Sequence, residues 1–119
     1  MLQTRYLDLS GRLSLKQLGA LSEQAACFLG VDTAPMHIAA AMNRPVIAFF
    51  GPTSETLWAP WCDRKLILSR DLWCRLPCKN NRSCPTIECL RDFTPAAVLP
   101  AVHAFLDELD LRTSAALSS

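Results

Sequence analysis

The sequence predicts an α/β fold, a parallel sheet with flanking helices, and two segments carry that prediction. Gly30-Val31-Asp32-Thr33-Ala34-Pro35-Met36-His37-Ile38-Ala39-Ala40-Ala41 reads as a strand end, a polar turn and a helix. Pro45-Val46-Ile47-Ala48-Phe49-Phe50-Gly51-Pro52-Thr53 reads as a strand and a second polar turn. Val46 to Phe50 has no polar interruption, and a strand that does not alternate is buried on both faces, as in a parallel sheet covered by helices. In such a sheet both polar turns fall on the carboxyl edge, where open α/β folds bind ligands.

Taken in order, Arg5 to Leu9 reads as a short strand and Ser10-Gly11-Arg12 as a turn. Ser14 and Gln17 have the spacing of a capping box, in which the serine caps the helix and the glutamine reaches back to it. The helix that follows runs to about Ala26, with Leu15, Leu18, Leu21 and Ala25 as its apolar face. Phe28 to Val31 is a short apolar strand. The next helix starts near Ala34, and Pro35 fits its first turn, where no partner for the amide is needed. Lys65 to Leu68 is a further strand, and 71–92 a Cys-rich loop. Thr94-Pro95 is the cap and first position of a last helix, with Val98, Val102, Phe105 and Leu109 inward. Pro100 kinks that helix or shifts its start, because an interior proline costs about 3 kcal/mol. Arg112 to Ser119 reads as a disordered tail. Three or four parallel strands with an open first edge suggest part of a longer chain or an oligomer.

Composition narrows the function classes. Half of the 119 residues are hydrophobic, net charge is +1 and no basic stripe occurs, so nucleic-acid binding is not expected. No apolar run approaches the roughly 20 residues that span a bilayer, and Met1 to Asp8 lacks the apolar core of a signal peptide, which reads as a cytoplasmic chain. Of six cysteines, Cys27 and Cys62 stand apart. Cys74, Cys78, Cys84 and Cys89 cluster in the loop, and four thiolates suit tetrahedral zinc. Their spacing is looser than paired zinc knuckles, so an unassigned loop is the other reading. Asp32, Thr33 and His37, where strand meets helix, suggest a phosphate-bearing ligand at the helix N-terminus.

Asp32 to Ala41, Phe50-Gly51-Pro52-Thr53-Ser54, Trp58-Ala59-Pro60-Trp61 and Leu9 to Leu15 together resemble the ADP-heptose:lipopolysaccharide heptosyltransferases. The Trp-x-Pro-Trp piece is most similar to the branch that adds the third heptose. The resemblance implies the GT-B architecture of two Rossmann-like halves, with this chain as a partial C-terminal half. Residues 1–111 would then be a nucleotide-sugar-binding domain. The implied donor is ADP-heptose, and the implied acceptor is the lipopolysaccharide core, met through an N-terminal half that also supplies the general base. No cofactor is implied, and there is no metal-binding Asp-x-Asp. Peripheral association with the inner face of the inner membrane and self-association are further expectations.

Each candidate residue also has a plain structural reading. The resemblance places Leu13, Asp32, Thr33, Ala34, Pro35, His37, Gly51 and Thr53 in the donor site, with His37 stabilising the leaving diphosphate. Asp32 alone reads equally well as a helix cap, worth ~1 kcal/mol. Thr33 and Ala34 supply helix-start amides. Ala34 stands where most relatives have glycine, and its methyl limits close approach. Leu13 reads as a core leucine, Gly51 as a turn residue, and Trp58 and Trp61 as packing or as walls of a sugar pocket. Two other classes stay open: a nucleotide-binding module without transferase activity, and a structural zinc-binding or dimerising protein.

Overall fold

The computed structural model describes residues 4–69, 84, 87–91 and 93–118. Its elements are α1 (Leu15–Gln24), β1 (Phe28–Val31), α2 (Ala34–Ala41), β2 (Val46–Phe50), α3 (Glu55–Trp58), β3 (Lys65–Ser69), α4 (Glu88–Arg91) and α5 (Pro95–Ser118). The strands form one parallel sheet in the order β1-β2-β3. The predicted α/β class is the observed one. The strand expected over Arg5–Leu9 is absent. Those residues run without sheet partners, mostly exposed, and turn at 9–12, where the Arg12 amide donates to the Leu9 carbonyl at 3.1 Å. A short apolar run makes a strand only where a sheet edge is within reach.

Local chemistry starts the helices where expected. The Ser14 hydroxyl accepts from the Gln17 amide at 3.2 Å, and the Gln17 side chain accepts from the Ser14 amide at 2.9 Å. On α5 the Thr94 hydroxyl accepts from the Ala97 amide at 3.3 Å, with Pro95 in first position. Pro100 lies inside α5 without shifting its start. The helix also runs to Ser118, past the Arg112 boundary expected from sequence. Thr113 to Ser118 contains neither glycine nor proline to stop it. Residues 88–91, inside the expected loop, form one helical turn.

The register sorts side chains onto two faces. Phe28, Val46, Ala48, Phe50 and Ile67 share one face and meet Met36, Ala39 and Ala40 of α2 in the main core. Ile47, Phe49, Leu66 and Leu68 share the other, on the side where Phe93 sets its ring edge-on to Phe49 at 5.2 Å. α5 packs on β3, and its Val102 and Leu109 are buried, with Val98 and Phe105 half-buried, as its predicted face requires. α1 keeps only part of its predicted face, with Leu18 and Ala25 half-buried. Leu15 and Leu21 are exposed, whereas Gly19 and Ser22 are buried. This face meets α2, and even a Cβ on Gly19 would make only ordinary contact, 3.8 Å from the Met42 methyl. Close helix packing outweighed the leucine stripe. Among the described residues, no helix is long and apolar enough to cross a membrane.

Candidate functional site

The site is built where β1 ends. Strand Phe28–Val31 delivers Asp32 to the carboxyl edge, and Thr33 caps α2. The cap is Thr33 and not Asp32, and no side chain bonds to the first-turn amides; the Thr33 hydroxyl instead donates back to the Val31 carbonyl at 3.4 Å. Asp32 is thereby released for another partner. Its Oδ1 lies 3.6 Å from Nε2 of His37, one turn into the helix. The Asp32 side chain is 13% exposed and that of His37 is 43% exposed, so the acid is largely shielded and the ring is open to solvent. The separation is too long for a hydrogen bond; the carboxyl group lies beside the imidazole at the mouth of the turn.

The helix start has fewer amides to offer than an unbroken one. Pro35 has none, and Met36 donates to the Thr33 carbonyl at 3.0 Å. The amides of Thr33 and Ala34 are the remaining two of the usual four. Both sit beside the Asp32–His37 pair.

The turn after β2 shares this edge. Gly51 is buried, and a Cβ there would come within 2.6 Å of Cγ of Leu90. Glycine at this position makes room for α4 to close over the end of β2. That packing partner was not legible from the motif alone. Beyond it, Ser54 and Thr56 pair their hydroxyls at 2.7 Å, and Ser69 donates to Glu55 at 3.3 Å. The polar run after a buried strand was the available signal for this cluster, which sequence reasoning left unassigned beyond Thr53. Thr53 itself is half-buried.

The structure therefore brings Asp32, Thr33, Ala34, Pro35 and His37 onto one turn, with Gly51 and Thr53 on the neighbouring turn. Leu13 is half-buried ahead of the Ser14 cap, on a helix that packs against α2. Trp61 is 93% exposed and so does not pack, whereas Trp58 is 55% exposed. Cys74 and Cys78 lie outside the described residues, while Cys84 is half-buried and Cys89 buried. Among the described residues, no group of three or more His, Cys, Asp or Glu is placed to hold a metal. Burial pushes the Cys27 and Cys62 thiols up from their ordinary pKa, as befits small hydrophobes.

Comparison with known proteins adds a family relationship to this geometry. The family model described as "Glycosyltransferase family 9 (heptosyltransferase)" matches residues 1–87. The chain is 36% identical over 107 residues to "Lipopolysaccharide heptosyltransferase 3" of Escherichia coli, covering 89% of this chain and 31% of that protein. It is 28% identical over 101 residues to "Lipopolysaccharide heptosyltransferase 2" of Salmonella typhimurium, covering 85% of this chain and 29% of that one. A 62-residue stretch is 37% identical to "Lipooligosaccharide heptosyltransferase 2" of Haemophilus influenzae, covering 52% of this chain and 18% of that protein. The chain spans about a third of the length of the first of these relatives. No solved structure matches it.

Proposed function

Because this chain belongs to glycosyltransferase family 9, the heptosyltransferases, we propose that it is the donor-binding part of an enzyme that moves heptose from ADP-heptose to the lipopolysaccharide inner core. In this reading it is a partial C-terminal half of a GT-B glycosyltransferase, working at the cytoplasmic face of the inner membrane. An acceptor hydroxyl attacks the anomeric carbon. The new C–O bond forms as the bond to the diphosphate breaks, and ADP leaves with the electron pair. The hydroxyl proton passes to a base supplied by the N-terminal half.

The observation that carries this reading is the Asp32–His37 pair at the start of α2, on the sheet's carboxyl edge. Negative charge grows on the leaving diphosphate, and fixed donors aimed at it lower the barrier without covalent chemistry. His37 and the Thr33 and Ala34 amides are those donors. Asp32 is the positioning residue for the ring, and its own contact with ligand is to sugar hydroxyls, since a carboxylate repels phosphate. Thr53 adds a hydroxyl at the same edge. Gly51 acts through packing, and Leu13 faces the base of the nucleotide.

Calorimetric titration of this chain with ADP, with UDP as control, tests the proposal. Saturable binding that prefers ADP is the expected result. Heat from neither nucleotide would mean that the site is completed elsewhere in a longer chain, and this chain would then not be the donor-binding part. A second reading, a nucleotide-binding module inactive by itself, follows from the share of the relatives' length spanned. Transfer activity on joining an N-terminal half separates it from the enzyme.

A further inference from the structure

A groove runs along α2 away from the donor turn. His37 stands at its head, Ala41 lies one turn below, and Asn43, Trp61, Asp63 and Lys65 close it on the far side. Its volume is about 650 Å³. From His37 to Ala41, the last residue of α2, the helix rises about 6 Å, and Asn43 lies just past its C-cap, a span that fits a pyranose ring.

The loop that carries Trp61 is anchored. Asn43 adopts a left-handed backbone at φ 52°, a conformation asparagine tolerates better than most residues. Its side-chain amide donates to Asp63 at 3.3 Å, and its carbonyl oxygen lies 3.5 Å from the Asp63 amide. The Lys65 ammonium donates to the Pro60 carbonyl at 3.1 Å, and Pro60 is fully buried. Trp61, 93% exposed, thus stands between the buried Pro60 and the tied Asp63, so the loop fixes where the indole sits.

We propose that this groove is a saccharide subsite, in which a pyranose ring stacks its C–H face on Trp61 and hydrogen-bonds through its hydroxyls to Asn43, Asp63 and Lys65. The chemistry favours a neutral polyol. Asp63 and Lys65 offset each other's charge, so the groove selects neither anion nor cation. Amide, carboxylate and ammonium supply donors and acceptors, and the indole supplies the apolar plate that such a ring needs. Because its head is His37, the subsite extends the donor-site reading above, on which its place in transfer rests; its saccharide binding does not depend on that reading.

The test is saturation-transfer NMR on this chain with methyl α-mannopyranoside as probe, run beside a separate ADP titration. Irradiating the indole protons is expected to saturate the sugar ring protons. Trp61→Phe retains part of the effect, Trp61→Ala abolishes it, and Trp58→Phe leaves it intact. Trp61→Ala keeps its thermal midpoint, since the side chain is exposed. No transfer up to tens of millimolar sugar, or transfer that survives Trp61→Ala, overturns the subsite even if ADP binds. Sugar binding through Trp61 without ADP binding keeps the subsite and removes the donor-site reading. A Trp61-dependent response to anionic vesicles alone, with none to the sugar, would assign the indole to a lipid surface and overturn the proposal.

Discussion

His37 is held by one contact, and its two neighbouring roles separate by substitution. In a full-length enzyme, His37→Ala is expected to lower kcat by about 10²-fold or more, the usual effect of losing a donor to a developing anion. Asp32→Asn keeps the side chain's size and removes its charge. Its expected loss is smaller, and it appears in kcat more than in KM because the ring remains but is no longer held. Unchanged turnover in the histidine variant would remove His37 from the mechanism. Cys27 and Cys62 make a different prediction. Burial raises both thiol pKa values in the folded chain, so the folded state holds these protons more tightly than the unfolded one. Stability is then intact below the ordinary thiol value of 9.0, and falls as pH rises through it and above. Urea midpoints measured against pH should show that decline, and Cys27→Ala should reduce it. Both thiols should react with iodoacetamide more slowly than in denatured protein.

At the scale of elements, the join between β2 and α4 is the sharpest test. Gly51→Ala drives a methyl to within 2.6 Å of Leu90, where a branch carbon cannot rotate aside cheaply. Overpacking of this kind costs about 1–3 kcal/mol, measurable as a shift in urea midpoint. In the double variant with Leu90→Ala, the Gly51→Ala penalty should nearly vanish, a coupling that a purely conformational role for glycine would not show. The capping box gives a milder reading: Ser14→Ala should destabilise by about 1 kcal/mol, with no effect on nucleotide affinity.

Across the whole molecule, the sheet is covered unevenly. Among the described residues β1 and β3 are both edge strands. Leu29 and Val31, pointing to the face opposite α2, remain 58% and 46% exposed. An apolar pair beside a strand edge that is unpaired among the described residues is where the expected self-association would act. Sedimentation velocity is expected to show concentration-dependent dimers, and Leu29→Lys should return the chain to monomer. A single monomeric species at all concentrations would refute the expectation.

The α/β class, the bounds of β1, the Ser14 and Thr94 helix starts and the polar turn holding Asp32, Thr33 and His37 were legible in the sequence by itself. Each depends on chemistry within a few residues of the chain: unbroken apolar runs, a serine three residues before a glutamine, a proline where an amide is dispensable. The family was legible for the same reason, since its motifs are contiguous. What only the tertiary structure decided are relations between segments far apart in the chain. Leu90 filling the space over Gly51, Gly19 and Ser22 lying buried on α1 while Leu15 and Leu21 stay exposed, Asn43 tying the Trp61 loop, and the lack, among the described residues, of a strand partner for Arg5–Leu9 all depend on which surfaces meet. Packing is short-ranged in space and indifferent to distance along the chain, so no local pattern encodes it. The Asp32–His37 contact lies between the two kinds: its residues were readable as a cluster, but Thr33 taking the cap is what freed the acid to hold the ring.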